Sequence, residues 1–295
     1  MIVLVEQLLI SVSLAVLGLC LGSFAGATVW RLRARQLVQD KAEGETVDGE
    51  EYKKLLPLTK ASLTEDRSRC LHCGHELAWY DLLPLISWVS TGGKCRYCHK
   101  KIGAFEPLIE LGAAVFFVGS YLLWPSLHTS VEVILFILWL TSGVLLAMLF
   151  AYDLKWFLLP NRLIFPLIGV GAIVAGIRLV TTPDSMDAFI NLGAAVVILS
   201  GLYFILWWVS KGRWIGFGDI KLGLGLALLL GDWQLAFLVL FLANFIGCVI
   251  VLPGLLSGRM TRTTHVPFGP LLIIGFVASV LFGHFILQWY FTIFL

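Results

Sequence analysis

VEVILFILWLTSGVLLAMLFAYD, residues 131–153, is an apolar run long enough to cross a bilayer, and it stops on an aspartate, Asp153. GFGDIK, residues 216–221, sets a second aspartate, Asp219, at the mouth of another apolar run. Only 14% of the chain is charged. An acid at the edge of such a run is costly and therefore a candidate functional group. Whether the two can meet decides how the rest of the chain is read.

The surrounding composition settles the class. Of 295 residues 59% are hydrophobic, with a mean hydropathy of +0.90, whereas soluble domains are about 45–50% apolar and about 25% charged. The chain reads as an all-α polytopic membrane protein. Runs near 3–29, 106–124, 131–152, 162–181, 188–209, 233–256 and 268–293 are long enough to span. A further run at 220–231 is too short to cross unaided, which gives seven to eight helices. Nothing basic precedes the first run, so it reads as a retained span rather than a secretory signal. Nothing in the chain points to a nucleic acid, and membrane lipid is the expected surrounding.

Lys and Arg fix an expected orientation. With the N-terminus outside, residues 31–104 face the cytoplasm and hold 13 of the 21 basic residues. The later inner segments add Lys155, Arg162, Lys211, Arg213, Lys221, Arg259 and Arg262, leaving Arg178 near an outer end. Both aspartates then fall at the cytoplasmic boundary, where they can meet without a helix breaking at mid-bilayer.

The expected organisation is a first membrane helix over 1–30, a cytoplasmic segment over 31–104 and a membrane domain over 105–295. Residues 34–66 read as a charged, partly helical excursion. Residues 67–104 hold two Cys-x-x-Cys knuckles, Cys70/Cys73 and Cys95/Cys98. Four thiolates at this spacing suit tetrahedral zinc, and a reducing cytoplasm favours metal over a disulfide. His72, His75 and His99 flank the knuckles and read as neighbours rather than ligands. Cys20 and Cys248 lie in apolar runs as small hydrophobes.

Two carboxylates in close approach cannot both ionise, so the pair divides into an acid and a base able to set water on a peptide carbonyl. Gly216 and Gly218 let the backbone come close at Asp219, and Lys221 completes the supporting loop. The plainer alternative is that Asp153 pairs with Lys155 and Asp219 with Lys221. Glu110, one turn into the second span, together with Glu6, Glu132, Asp184, Asp187 and Asp232 at outer ends, reads as interfacial. Asn161, after Leu159-Pro160, is an expected helix N-cap, and Val266-Pro267-Phe268-Gly269-Pro270 is a rigid turn into the last span.

In order and spacing these pieces resemble the type IV prepilin peptidase family, bifunctional leader peptidases and N-methyltransferases that include those serving type II secretion. The resemblance rests on Gly22-Ser23-Phe24 with Val29-Trp30-Arg31-Leu32, and on Ser68-Arg69-Cys70-Leu71-His72-Cys73-Gly74-His75. It continues through Trp79-Tyr80-Asp81 to Trp88, Gly93-Lys94-Cys95-Arg96-Tyr97-Cys98, and Asp153 with Leu159-Pro160-Asn161. Gly216 to Lys221 and Pro267-Phe268-Gly269-Pro270 complete it. Phe105-Glu106-Pro107 stands where the family commonly has Arg-Tyr-Pro.

The resemblance implies a multi-pass enzyme of the bacterial inner membrane that cuts the leader from prepilins or pseudopilins. It also implies methylation of the new N-terminal residue with S-adenosylmethionine, by groups the motifs do not name. Asp153 and Asp219 are then the catalytic pair, and Cys70, Cys73, Cys95 and Cys98 the metal tetrad. Other readings are a presenilin-like protease, whose late Pro-Ala-Leu motif is absent, an ion-coupled transporter, and a zinc-knuckle scaffold.

Overall fold

The computed structural model describes residues 2–59, 67–258 and 266–294. Arg259 and Arg262, counted above toward orientation, lie outside the described residues, as do residues 60–66 of the charged excursion. The regular secondary structure of the described chain is helical apart from two isolated bridges, and seven helices are long and apolar enough to cross a membrane. It divides into two compact units between Leu122 and Leu123.

The first unit is led by α1 (Ile2–Ala42), a 41-residue helix. It does not stop near residue 29, where the apolar run ends, because its extension has a partner. Ala34 and Leu37 are buried with Leu55 and Leu58, and Trp30, Val47, Tyr52 and Leu71 pack around them. Leu55 ends α2 (Gly49–Leu55), whose Asp48 cap accepts the Glu50 and Glu51 amides. Arg33 closes on Glu51 at 2.7 Å. Part of the excursion is thus a small packed helical hairpin. Farther on come α3 (Ile86–Ser90) and the second span, α4 (Phe105–Leu123).

The two spans of this unit touch backbone to backbone. A Cβ on Gly22 would lie 2.6 Å from the Cα of Glu110, and one on Gly18 would lie 2.7 Å from the Cα of Ala114. Lipid gives helices no hydrophobic reason to associate, so close van der Waals approach over small residues is the available attraction.

The second unit begins with α5 (Ser130–Trp156), entered through a reciprocal Thr129–Glu132 cap. It continues with α6 (Asn161–Thr181) and α7 (Ser185–Val196), the latter capped by Asp184. A π turn over Val197–Gly201 joins α7 to α8 (Leu202–Ser210), so that one span carries a local widening. Then come α9 (Phe217–Leu230), α10 (Trp233–Leu256), capped by Asp232, and α11 (Phe268–Phe294). Of the acids assigned to the interface, Asp184 and Asp232 therefore satisfy free first-turn amides, and Glu132 reaches back to the amides of Thr129 and His128 before its helix.

α9 is too short to cross a bilayer unaided and is held inside the unit. It packs chiefly on α6 and on the π turn. Ser200 Oγ donates to the Ile220 carbonyl at 3.0 Å, and Gly223 passes directly beneath the Leu199 carbonyl. Arg178 donates to the Leu230 carbonyl at its far end. Trp139 of α5 meets Phe276 of α11 with ring centroids 5.7 Å apart, locking the first and last helices of the unit.

Candidate active site

Asp153 sits in the last turn of α5, 6% exposed. A buried carboxylate needs a donor, and it takes one from 116 residues away: Gly269 N–H donates to Asp153 Oδ2 at 3.1 Å. Gly269 is the second residue of α11, so its amide belongs to the first turn, which has no intrahelical acceptor. Only glycine fits there, since a Cβ would fall 2.6 Å from the same oxygen.

Asp219 occupies the first turn of α9, half-buried, with the Gly216 and Asp219 backbone amides facing its carboxylate. Each aspartate thus lies at the amide-rich, positive end of a helix, Asp153 at that of α11 and Asp219 at that of α9. The two are close enough for their charges to act on one another. Leu159 wedges the site: hypothetical Cβ atoms on Gly218 and Gly269 would meet its Cβ at 3.0 Å and its Cδ2 at 3.5 Å.

The simple pairings with nearby lysines do not form. Lys221 Nζ donates to Asn161 Oδ1 at 2.8 Å and lies over the Phe217 and Phe165 rings. Asn161 is accordingly not the N-cap of α6. That position is Pro160, with no side-chain cap, and the Asn161 side chain is spent on anchoring the Asp219 loop. The sequence named Gly216, Gly218, Lys221 and the Pro-Phe-Gly-Pro turn as elements, but not the Gly269 amide or Leu159 as contacts. A bond across 116 positions leaves no periodic trace.

In the first unit the four cysteine sulfurs lie within 4.8 Å of one another, with Cys70 and Cys98 Sγ 4.0 Å apart. Two knuckles of the same construction bring them there. Cys70 N–H bonds the His75 carbonyl and Cys95 N–H the Lys100 carbonyl; Gly74 N–H returns to the Cys70 carbonyl and His99 N–H to that of Cys95. Gly74 and His99 both take positive φ, +73° and +56°. Burial pushes the Cys70 thiol up to about 12. At Cys95 burial acts the same way, but the Cys98 and Tyr97 amides together with the Cys70 and Cys98 thiols outweigh it and bring the thiol down to about 7.

Asp81 ties the link to the second knuckle by accepting Arg96 Nε and Tyr97 O–H, each at 2.9 Å. Burial opposes the charge on Asp81, yet these donors outweigh it and hold the carboxyl below its ordinary range.

Glu110 is not interfacial. It is buried, accepts the Leu85 amide at 2.8 Å, and has the Ser23 hydroxyl as a second partner. Leu85 itself has φ +57° and centres a three-residue turn closed by Ile86 N–H to the Pro84 carbonyl at 2.6 Å. A strained turn of this kind persists only where its surroundings hold it. Nearby, Glu106 accepts Trp30 Nε1 at 2.8 Å, and Trp30 meets Phe105 edge to face at 5.7 Å.

Comparison with known proteins covers both units. Residues 16–124 match the Bacterial Peptidase A24 N-terminal domain and residues 139–252 the Type IV leader peptidase family. The prepilin leader peptidase/N-methyltransferase of Aeromonas hydrophila is 31% identical over 94% of this chain and 92% of its own. That of Burkholderia pseudomallei is 33% identical over 91% and 84%. The Pseudomonas aeruginosa relative is 31% identical over 93% and 91%. No solved structure matches. With full-length relatives at this identity and family matches in both units, the chain belongs to the type IV leader peptidase family, as the order of its aspartate and cysteine motifs implies.

Proposed function

We propose that this protein is a bacterial inner-membrane aspartic endopeptidase that removes the leader from type IV prepilins or pseudopilins and then N-methylates the exposed residue. The observation carrying the peptidase half is the convergence of Asp153 and Asp219 at two helix N-termini, with Gly269 N–H orienting one of them. In the reaction one carboxylate takes a proton from water as its oxygen bonds to the scissile carbonyl carbon. The other, protonated, donates to the carbonyl oxygen. Collapse of the tetrahedral species breaks the C–N bond, and the amine leaves with a proton from the pair. No covalent enzyme intermediate is needed, and the two groups act as one titrating unit.

Half-burial leaves Asp219 open on one side, which is where water and an extended substrate segment would enter. The Lys and Arg distribution supports placing this mouth and the cysteine knuckles at the cytoplasmic face, with the N-terminus outside. Peptidase activity, named for the relatives, stands against the transporter and scaffold readings.

The cysteine tetrad fits zinc. Tetrahedral Zn–S bonds of about 2.3 Å need sulfurs somewhat under 4 Å apart, close to the observed clustering. Cys70, Cys73, Cys95 and Cys98 would hold the ion, and it would supply folding energy that so small a unit lacks. S-adenosylmethionine also has a fitting neighbourhood. Glu106 Oε2 is buried beside Trp30 and Phe105 with no hydrogen-bond partner among the described residues, and an acid among aromatic rings suits a sulfonium cation. When bound, that donor supplies the methyl group.

Co-expression with a prepilin tests the assignment. Asp153→Asn and Asp219→Asn are each expected to abolish leader removal while leaving the protein in the membrane. Cleavage by either at the wild-type rate overturns the two-aspartate mechanism. Mass measurement of the mature N-terminus in the same assay reads methylation directly, and an unmethylated product after intact cleavage removes the transferase half.

A further inference from the structure

Tyr203, in the first turn of α8, is 3% exposed, and its hydroxyl has no hydrogen-bond partner among the described residues. A buried phenol left in that state is unusual, because a Tyr O–H that leaves water normally finds an acceptor. Its surroundings explain the exception. The ring packs edge to face on Phe268, centroids 5.4 Å apart, and Phe268 directly precedes the Gly269 whose amide holds Asp153. The hydroxyl end lies within reach of the Asp219 charge.

An irregular turn precedes this side chain. The π turn Val197–Gly201 ends two residues before Tyr203 and rotates α8 relative to α7. Such turns recur where a side chain is redirected into a site. The same turn is pinned to α9, the helix carrying Asp219, through Ser200 Oγ and the Ile220 carbonyl.

We propose that Tyr203 is a third polar member of the aspartate site, a positioning residue whose hydroxyl donates a hydrogen bond into the space beside Asp219 where the attacking water and the scissile carbonyl meet. The proposal rests on the peptidase assignment of Asp153 and Asp219. The phenol makes no covalent bond and keeps its proton. It fixes the water and the polarised carbonyl relative to the carboxylates, which is the geometric part of catalysis.

Tyr203→Phe removes the hydroxyl and keeps the ring on Phe268. Purified wild type, Tyr203→Phe, Asp153→Asn and Asp219→Asn are compared for kcat and KM of prepilin cleavage and for thermal melting in detergent. The expected result for Tyr203→Phe is a fall in kcat of about 10- to 100-fold, with KM unchanged and the melting temperature unchanged or raised. Deleting a buried hydroxyl that has no partner removes a desolvation cost and no hydrogen bond, so a loss of kcat in an equally stable protein marks a role in the reaction. Wild-type kcat in Tyr203→Phe, with both asparagine variants dead, overturns this proposal and leaves the aspartate reading intact. A kcat loss accompanied by a lowered melting temperature assigns Tyr203 to structure and likewise overturns it. Active asparagine variants overturn both.

Discussion

Replacing Gly269 by alanine tests the link between the last helix and the catalytic pair. The new Cβ would stand 2.6 Å from Asp153 Oδ2 and 3.3 Å from its Cγ, where ordinary van der Waals contact begins at 3.4 Å. One of the two must retreat by about 0.8 Å, and a close-packed interior transmits such a displacement rather than absorbing it. Asp153 has little room to yield, being 6% exposed at the end of α5. The same movement lengthens the 3.1 Å bond from Gly269 N–H beyond useful range. Loss of a bond to a charged group costs about 1.5–3 kcal/mol, and misplacement of a reacting group by about 1 Å costs about 100-fold in rate.

Gly269→Ala is therefore expected to cut leader removal by about 100-fold, read by gel shift of a purified prepilin. The overpacking itself costs about 1–3 kcal/mol and lowers the melting temperature without unfolding the protein. Gly176→Ala on α6 is the companion variant, because nothing lies within 4 Å of its added carbon, and it is expected to cleave normally. Wild-type cleavage by folded Gly269→Ala would refute the claim that this amide orients Asp153.

Glu110→Ala strands the Leu85 amide and releases the strained turn at φ +57°. It is expected to destabilise the first unit by about 1–3 kcal/mol and to speed amide exchange at Leu85, whereas Glu110→Gln, whose amide oxygen can accept the same N–H, stays near wild type; equal exchange in the two variants would sink this reading. Metal analysis of purified protein should return close to one zinc per chain, lost in Cys95→Ser and on chelation together with protease resistance of residues 67–104. A chelated protein that keeps both its metal-free fold and its resistance would show that no ion supports the knuckles.

The sequence carried the membrane class, the knuckles and the aspartates because each leaves a local mark: a long apolar run, a Cys-x-x-Cys, an acid among hydrophobes. Packing inside the bundle leaves none. Tyr203 stands in an apolar stretch with Trp207 and Trp208, and nothing in its neighbours announces the π turn before it or the burial of its hydroxyl without a partner among the described residues. The extension of α1 beyond the expected end of its span was hidden because Ala34 and Leu37 sit among charges and become core only against Leu55 and Leu58. Glu110 looked like an acid able to reach the surface; a backbone amide 25 residues away claims it instead. Asn161 looked like a cap from its place after a proline, and Lys221, 60 positions on, takes its oxygen.

The unequal ends of α9 bear on how tightly the bilayer stays closed. At 14 residues it measures about 21 Å against about 30 Å of hydrocarbon. Its last carbonyl, that of Leu230, is occupied by Arg178, while its first turn, with Asp219, is half open. Water hydrating those first amides and the carboxylate faces, at the other end, buried Leu229 and Leu230 and the Arg178 hydrogen bond. A hydrolase built this way can take its reactant at one edge of the membrane while the buried end of the helix closes the path across.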